Sequence, residues 1–475
     1  ISFKLSFPSK KGMVSLWGLG GKSSMEMFSD KNEMSTIRNI NTFFGSKMGA
    51  TGLSHSVSFN PTSYIKTSLA VTGSNSYMRA DSVLSASSPY TIYGSDFSEV
   101  RAIITSTYHL KVNPKLRITS GITYTHEFVD LIDTAKNENT FLTVTNINDN
   151  FGFLQSHAQG EYAINNKLKF NAGLHMQYLM FNEKFSVEPR AAIKYEVSPK
   201  LNFRIAYGLH SQKQQNIVYF FRSLTDTLNL AYKETNKNLD FTKSHHLALG
   251  TGWYLKPDLK LNVELYYQYL FDIPVETRPS PYSAINYGVD FYSVVEDSLQ
   301  NKGIGYNTGI ELSLEQFYKN GFYYMTNVSL FTSKYRGSNN KWYSTLFDNN
   351  YVVNLLGGYE FNLQNNQFLS INGNLAWAGG LRYIPINIDE SKREGMTVYF
   401  NDRSFEGQYK DYFKMNLKLI YRVNGKKFSY ESAFGVTNLT NRKNIMQQSF
   451  DPETGKIVYD YQMGLMPEGT FRVYF

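Results

Sequence analysis

Long strand-like segments joined alternately by very short and very long connections leave a chain few ways to fold. Nine short joints are marked by turn-forming residues: Ser9-Lys10-Lys11-Gly12, Asn60-Pro61, Asn113-Pro114, Asn165-Asn166, Ser198-Pro199, Lys256-Pro257-Asp258, Lys319-Asn320-Gly321, Gln364-Asn365-Asn366 and Asn424-Gly425-Lys426. Asn, Asp, Gly and Pro supply the backbone geometries that tight hairpin loops demand. Between hairpins lie polar connections of roughly 20 to 30 residues, well above the usual loop length. They fall at Gly21–Ile40, Gln212–Asp240, Pro274–Lys302 and Gly379–Glu406, with one short exception near Asn182–Lys184.

The segments between the joints carry a strict period of two. Leu116, Ile118, Ser120, Ile122, Tyr124, His126 and Phe128 alternate with Lys115, Arg117, Thr119, Gly121, Thr123, Thr125 and Glu127. Phe413, Met415, Leu417, Leu419, Tyr421 and Val423 alternate with Lys414, Asn416, Lys418, Ile420 and Arg422. The same pattern recurs over Leu201–Leu209 and Leu259–Phe271, and no comparable stretch shows a helical stripe. The strands read as roughly 11 to 16 residues long, more than an ordinary globular strand.

Short turns on one rim and long loops on the other are the arrangement of a transmembrane barrel, with the long loops extracellular and the turns periplasmic. No run of apolar residues is long enough for a membrane-spanning helix. A β-propeller requires a repeat of roughly 40 to 50 residues, which is absent. Nine hairpins give eighteen strands, and the segment Leu465 to Phe475 makes about nineteen. The first and last strands then run the same way, whereas bacterial barrels have even strand numbers. The chain opens within a strand, at ISFKLSF, and stops within another, at GTFRVYF. The expectation is therefore a single barrel domain over residues 1–475, the C-terminal part of a longer protein, with about three strands upstream completing 22.

Composition narrows the chemistry. No cysteine occurs, which removes thiolate metal sites, disulfides and cysteine nucleophiles. The net charge of +8 is spread along the chain without a dense basic block, so nucleic acid is not an expected partner. The eight histidines form no HExxH arrangement, and His245 and His246, being adjacent on a strand, face opposite ways. Gly18–Ser24 lacks the first glycine of a phosphate loop; Asn146, Asn148 and Asn150 have calcium-loop spacing, but Phe151 stands where that loop turns on glycine. No catalytic residue, metal or cofactor is expected.

Aromatic residues clustered at strand ends read as interfacial girdles. Those in the long connections, Tyr219, Phe220, Phe221, Trp342, Tyr343 and Tyr383, are candidate stacking platforms for a solute, with packing of the loops on themselves the alternative. Arg117, Arg204, Lys414, Lys418 and Arg422 occupy the polar face and are expected to line the lumen, either favouring anionic solutes or pairing with acidic groups.

Three stretches carry a family resemblance: ISFKLSFPSKKGMVSLWGLGG; GIELSLEQFYKNGFYYMTNVSLFTSKYRG followed by NYVVNLLGGYEF; and the region from Gln408 through DYFKMNLKLIYRVN and FGVTNLTNRKN to DYQMGLMPEGTFRVYF. The chain resembles the barrel region of TonB-dependent outer-membrane receptors, in particular a Bacteroidetes-type branch. Such receptors close with a hairpin after an N-x-T-N-like segment, here Asn438, Thr440 and Asn441, and a last strand ending in Phe. The resemblance implies a 22-stranded barrel occluded by an N-terminal plug and energised by the TonB complex. It also implies an assembly signal in Phe471, Val473 and Phe475 read by the barrel-assembly machinery, and contact with outer-membrane lipid and lipopolysaccharide. A surface lipoprotein or another outer-membrane protein is a further candidate partner, although the final connection lacks the closing pattern of glycan importers that carry a lipoprotein lid. The function implied is active import of a siderophore, vitamin, glycan or peptide; the alternatives are a passive porin and a surface adhesin.

Overall fold

The period-two segments fold as strands, and nearly all of them join one sheet. The computed structural model describes residues 1–10, 12–28, 40–83, 89–137, 140–226, 231–286 and 296–475. Lys11 and the inner parts of the first three long connections lie outside the described residues. Twenty strands form the sheet. One of them, the three-residue Trp342–Ser344, rides on a neighbour; the others form the wall. In chain order the wall strands are β1 (Ser2–Ser9), β2 (Gly12–Met27), β3 (Ile40–Asn60), β4 (Ser63–Ser82), β5 (Tyr90–Lys111), β6 (Leu116–Asn137), β7 (Thr140–Ala163), β8 (Leu168–Leu179), β9 (Lys184–Ser198) and β10 (Leu201–Gln212). They continue as β11 (Thr242–Lys256), β12 (Leu259–Glu276), β13 (Leu299–Lys319), β14 (Phe322–Arg336), β15 (Tyr351–Asn362), β16 (Gln367–Ala378), β17 (Tyr412–Asn424), β18 (Ser429–Thr437) and β19 (Met466–Tyr474). Every wall strand pairs antiparallel with its neighbours in sequence, from β1–β2 to β18–β19. The nineteen wall strands match the number read from the turns. Among the described residues β1 and β19 are paired on one side only.

The nine short joints lie between consecutive wall strands as expected. Asn113 Oδ1 accepts from the amides of Lys115 and Leu116 at 2.8 and 2.9 Å, and Asn165 Oδ1 does the same for Lys167 and Leu168. Asn320 and Gly321 take φ of 53° and 85°, the left-handed geometry of a two-residue hairpin loop.

Register assembles an apolar belt on one face. Leu5, Leu16, Leu53, Leu69, Ile104, Tyr124, Leu154, Tyr178 and Phe185 stand in one cross-strand row. Ile205, Leu249, Leu265, Ile310 and Leu330 form another. The opposite face pairs hydroxyls and amides: Thr105 with Thr123 at 2.7 Å, Asn307 with Gln268 at 2.9 Å, Asn416 with Asn374 at 2.7 Å. Apolar outside and polar inside is the pattern of a bilayer-spanning barrel, in which the ladder satisfies the backbone groups that lipid cannot.

Several strands are longer than expected. β5 and β6 have 22 residues and β7 has 24. At about 3.3 Å per residue the longest spans roughly 80 Å, against an apolar band about 25 Å tall. These hairpins stand well proud of the belt on the long-loop rim. The connections are also structured. Gln212–Asp240 contains α1 (Asn216–Tyr219) and the ribbon Arg222–Asp226/Ala231–Glu234; Gly379–Glu406 contains α2 (Ile388–Glu394). A hairpin, Ile445–Asp451 with Lys456–Tyr461, precedes β19.

Candidate functional site

On one side of the long-loop rim the chain folds into its own mouth. Above the belt the inner face of β6 and β7 turns apolar, with Val129, Leu131, Ile147, Phe151 and Phe153, and α1 packs Ile217, Val218, Tyr219 and Phe220 against it. A buried polar latch fixes the approach. Lys213 Nζ lies 3.2 Å from the Glu127 carboxylate, Arg101 Nε lies 3.4 Å from it, and Asn216 Nδ2 donates to both Glu99 and Glu127 at 2.9 and 3.1 Å. Burial holds the Lys213 ammonium below the usual lysine range, against the opposing pull of Glu127. Asn182 Nδ2 ties the return of the loop by donating to the carbonyls of Lys237 and Leu239.

Of the two readings for Tyr219 and Phe220, a stacking surface or packing of the loop on itself, the second fits: they are 0% and 1% exposed. They form the apolar filling of the mouth because a short helical turn carries them inward. Phe221 is half-buried beside them. Trp342, 49% exposed, stands with Tyr306 at 5.4 Å on the outer face, under Arg336. Tyr343 packs on Tyr335, and Tyr383 lies over Gly407 and stacks on Tyr409 at 4.4 Å.

A cavity of about 580 Å³ opens on the inner face of β11–β14. Gln268, Asn307 and His246 supply amide and imidazole groups, Glu264 and Glu311 supply carboxylates, and Tyr266 and Phe331 supply rings. Ile285, Thr345 and Phe347 close it from the long-loop rim. The alternation of Leu259–Phe271 placed the β12 residues on this face; their meeting with β13, β14 and two loops depends on long-range register. His245 and His246 part as expected. His245 joins Tyr207 and Phe271 on the outside, and His246 meets His210 at 4.5 Å inside.

The five cationic candidates share the inner face, where each has different company. Arg422 reaches Glu360 at 3.4 Å. Arg117 stands in register with Glu161 on one side and Lys111 on the other. Arg204 and Glu264 both reach over Gly250, across a single strand. Lys418 lines a second recess of about 360 Å³ with Tyr323, Asn372, Asn374, Asn416 and Glu468, and Lys414 follows on the same strand face. Acidic groups are interleaved with the cations along this wall.

The phosphate-loop-like Gly18–Ser24 lies inside β2. Asn146, Asn148 and Asn150 lie along β7 rather than in a loop. Asn438 is a buried turn residue whose side-chain amide donates to the carbonyls of Arg442 and Met463. Among the described residues no three His, Asp or Glu side chains converge as a metal site.

Comparison with known proteins bears on the whole wall. The family described as TonB dependent receptor-like, beta-barrel matches residues 22–439. No curated protein sequence matches. Among solved structures, the ferric preacinetobactin receptor BauA from Acinetobacter baumannii superposes with a TM-score of 0.69 at 11% identity, over 100% of this chain and 71% of its own. The ferric-catecholate import receptor Fiu from E. coli K12 gives 0.66 at 9% identity, over 100% of this chain and 79% of its own. The RagAB peptide transporter gives 0.62 at 10% identity, over 92% and 68%. At such identities the likeness establishes the fold.

Proposed function

The chain belongs to the TonB-dependent receptor-like β-barrel family, a family of transport receptors, and from that membership we propose that it imports a scarce solute through the outer membrane. The observation that carries this reading is the family match over residues 22–439, on a wall whose belt suits a bilayer and whose interior is polar. In this proposal the long-loop rim is extracellular, the short turns are periplasmic, and the whole chain is one outer-membrane domain of a 22-stranded barrel. A plug from the same protein gates it, and the TonB complex supplies the energy. Phe471, Val473 and Phe475 form the signal for the assembly machinery, and lipid and lipopolysaccharide surround the belt. The solute meets the cavity of Glu264, Tyr266, Gln268 and Glu311 after passing the loops.

The proteins of like fold include a ferric-catecholate receptor and a peptide transporter, so fold supports import without choosing the solute. The Bacteroidetes-type placement and a surface lipoprotein partner, both implied by the sequence resemblance, belong to the same proposal. A deletion strain tested for uptake of ferric siderophores, cobalamin, oligosaccharides and peptides should lose one class, and disruption of the TonB complex should abolish the same uptake. Uptake that survives that disruption would identify a passive pore instead.

A further inference from the structure

Building on the import reading, we propose that the cavity on β11–β14 is a binding site for an organic cation, a solute bearing an ammonium or guanidinium group beside apolar surface. One row of the inner wall carries the argument: Arg204, Gly250, Glu264 and Glu311 stand in direct register on β10, β11, β12 and β13. Glu264 and Glu311 face each other across adjacent strands, an arrangement that like charges make unfavourable. Among the described residues neither carboxylate has an ion-pair or hydrogen-bond partner. Beside the two carboxylates the nearest cation in this row is Arg204, with Lys194 and Lys169 following it on the far side; Arg204 reaches over Gly250 on the Glu264 side and leaves Glu311 beyond it. Arg204's other neighbour in register, Lys194, is committed to Glu196 at 2.9 Å. Lys260, at the foot of β12, is turned toward the ring of Tyr254.

The cavity walls suit the group that would neutralise this pair. Tyr266, Phe331 and Phe347 present rings to the space above the carboxylates. Aromatic faces together with a carboxylate attract ammonium and guanidinium groups and offer nothing comparable to an anion. A volume of about 580 Å³ lies within the range of small-molecule sites, roughly 300–1,000 Å³. Gln268 and Asn307, already bonded to each other, add fixed amides at one side.

The test is equilibrium binding to the purified protein in detergent, with benzyltrimethylammonium and phenylacetate as probes of similar size and opposite charge. The expected result is saturable binding of the cation alone, weakened about tenfold or more in Glu311→Gln and in Glu264→Gln, the scale of one lost ionic contact. Glu311→Asp should keep most of the affinity. Heat-modifiable mobility establishes that each variant is folded. Binding of neither probe, equal binding of both, or wild-type affinity in the two amide variants would overturn the proposal and leave the carboxylates to a cationic segment of protein. The import reading fails separately: cation binding with no uptake dependent on the TonB complex removes import and keeps the site. Energised uptake of a cationic solute that ignores both substitutions removes the site and keeps import.

Discussion

Two carboxylates on the same inner wall show how differently one residue type can be used. Glu127, 3% exposed, is surrounded by Lys213, Arg101 and Asn216, whereas Glu311 faces the cavity with no ion-pair partner among the described residues. Removing one member of a buried pair strands the other charge at a cost of about 3–5 kcal/mol, while replacing both by groups of similar shape costs far less. Lys213→Met should therefore loosen the 212–241 segment and make it sensitive to limited proteolysis, with the wall still heat-modifiable. The double variant Lys213→Met/Glu127→Gln should recover much of the protection; if it is cut as fast as the single variant, the latch is not what holds the loop. Sequence reasoning placed Lys213 in a long connection and Glu127 on a polar strand face. Their contact joins residues 86 positions apart and leaves no periodic trace.

At the scale of a strand the sequence was most legible, because a period of two assigns faces directly. Leu417 is on the belt face, in register with Gly373 and Val436, and Lys418 is on the recess side with Asn372. Arg at Leu417 should destabilise the folded barrel by about 2–4 kcal/mol, and Arg at Lys418 should change it little; equal urea midpoints would refute the facing assignment. The strands read from sequence as roughly 11 to 16 residues long, yet on β6 and β7 the alternation runs further. It continues with inverted phase: below Phe128 the apolar residues of β6 are the even-numbered Leu116, Ile118, Ile122 and Tyr124, facing out, whereas above it Val129 and Leu131 are apolar and face in. On β7 the polar Asn146, Asn148 and Asn150 face out at that height while Ile147 and Phe151 pack inward. The inversion marks where lipid gives way to water outside and α1 fills the mouth inside. It was the available signal that Tyr219 and Phe220 have a core to enter.

For the whole molecule the decisive property is parity. Turn chemistry gave nineteen strands, and the wall strands agree, so β1 and β19 run in the same direction and cannot meet in an antiparallel ladder. Phe471 and Val473 on β19 lie on the belt face, in register with Ser432 and Tyr430 of β18. If this strand is the assembly signal, Phe475→Asp should reduce the heat-modifiable protein in the outer membrane, and wild-type levels would remove that role. Closure can be tested independently, because residues 1–475 contain no cysteine and any disulfide within them must come from introduced pairs. Ser6→Cys/Ser15→Cys is the positive control, since the two hydroxyls are 3.0 Å apart across β1 and β2. Leu5→Cys/Phe471→Cys places thiols on the belt faces of the two edge strands, a few residues from the short-turn rim. Oxidation in the native membrane should link the control and leave the second pair free, because an odd number of further strands separates β1 from β19 in a 22-stranded barrel. Disulfide geometry tolerates Cα separations of only about 4.4–6.8 Å, so a link between them would mean that the two edges abut in parallel. The wall would then close on nineteen strands, and the 22-strand reading would fall with it.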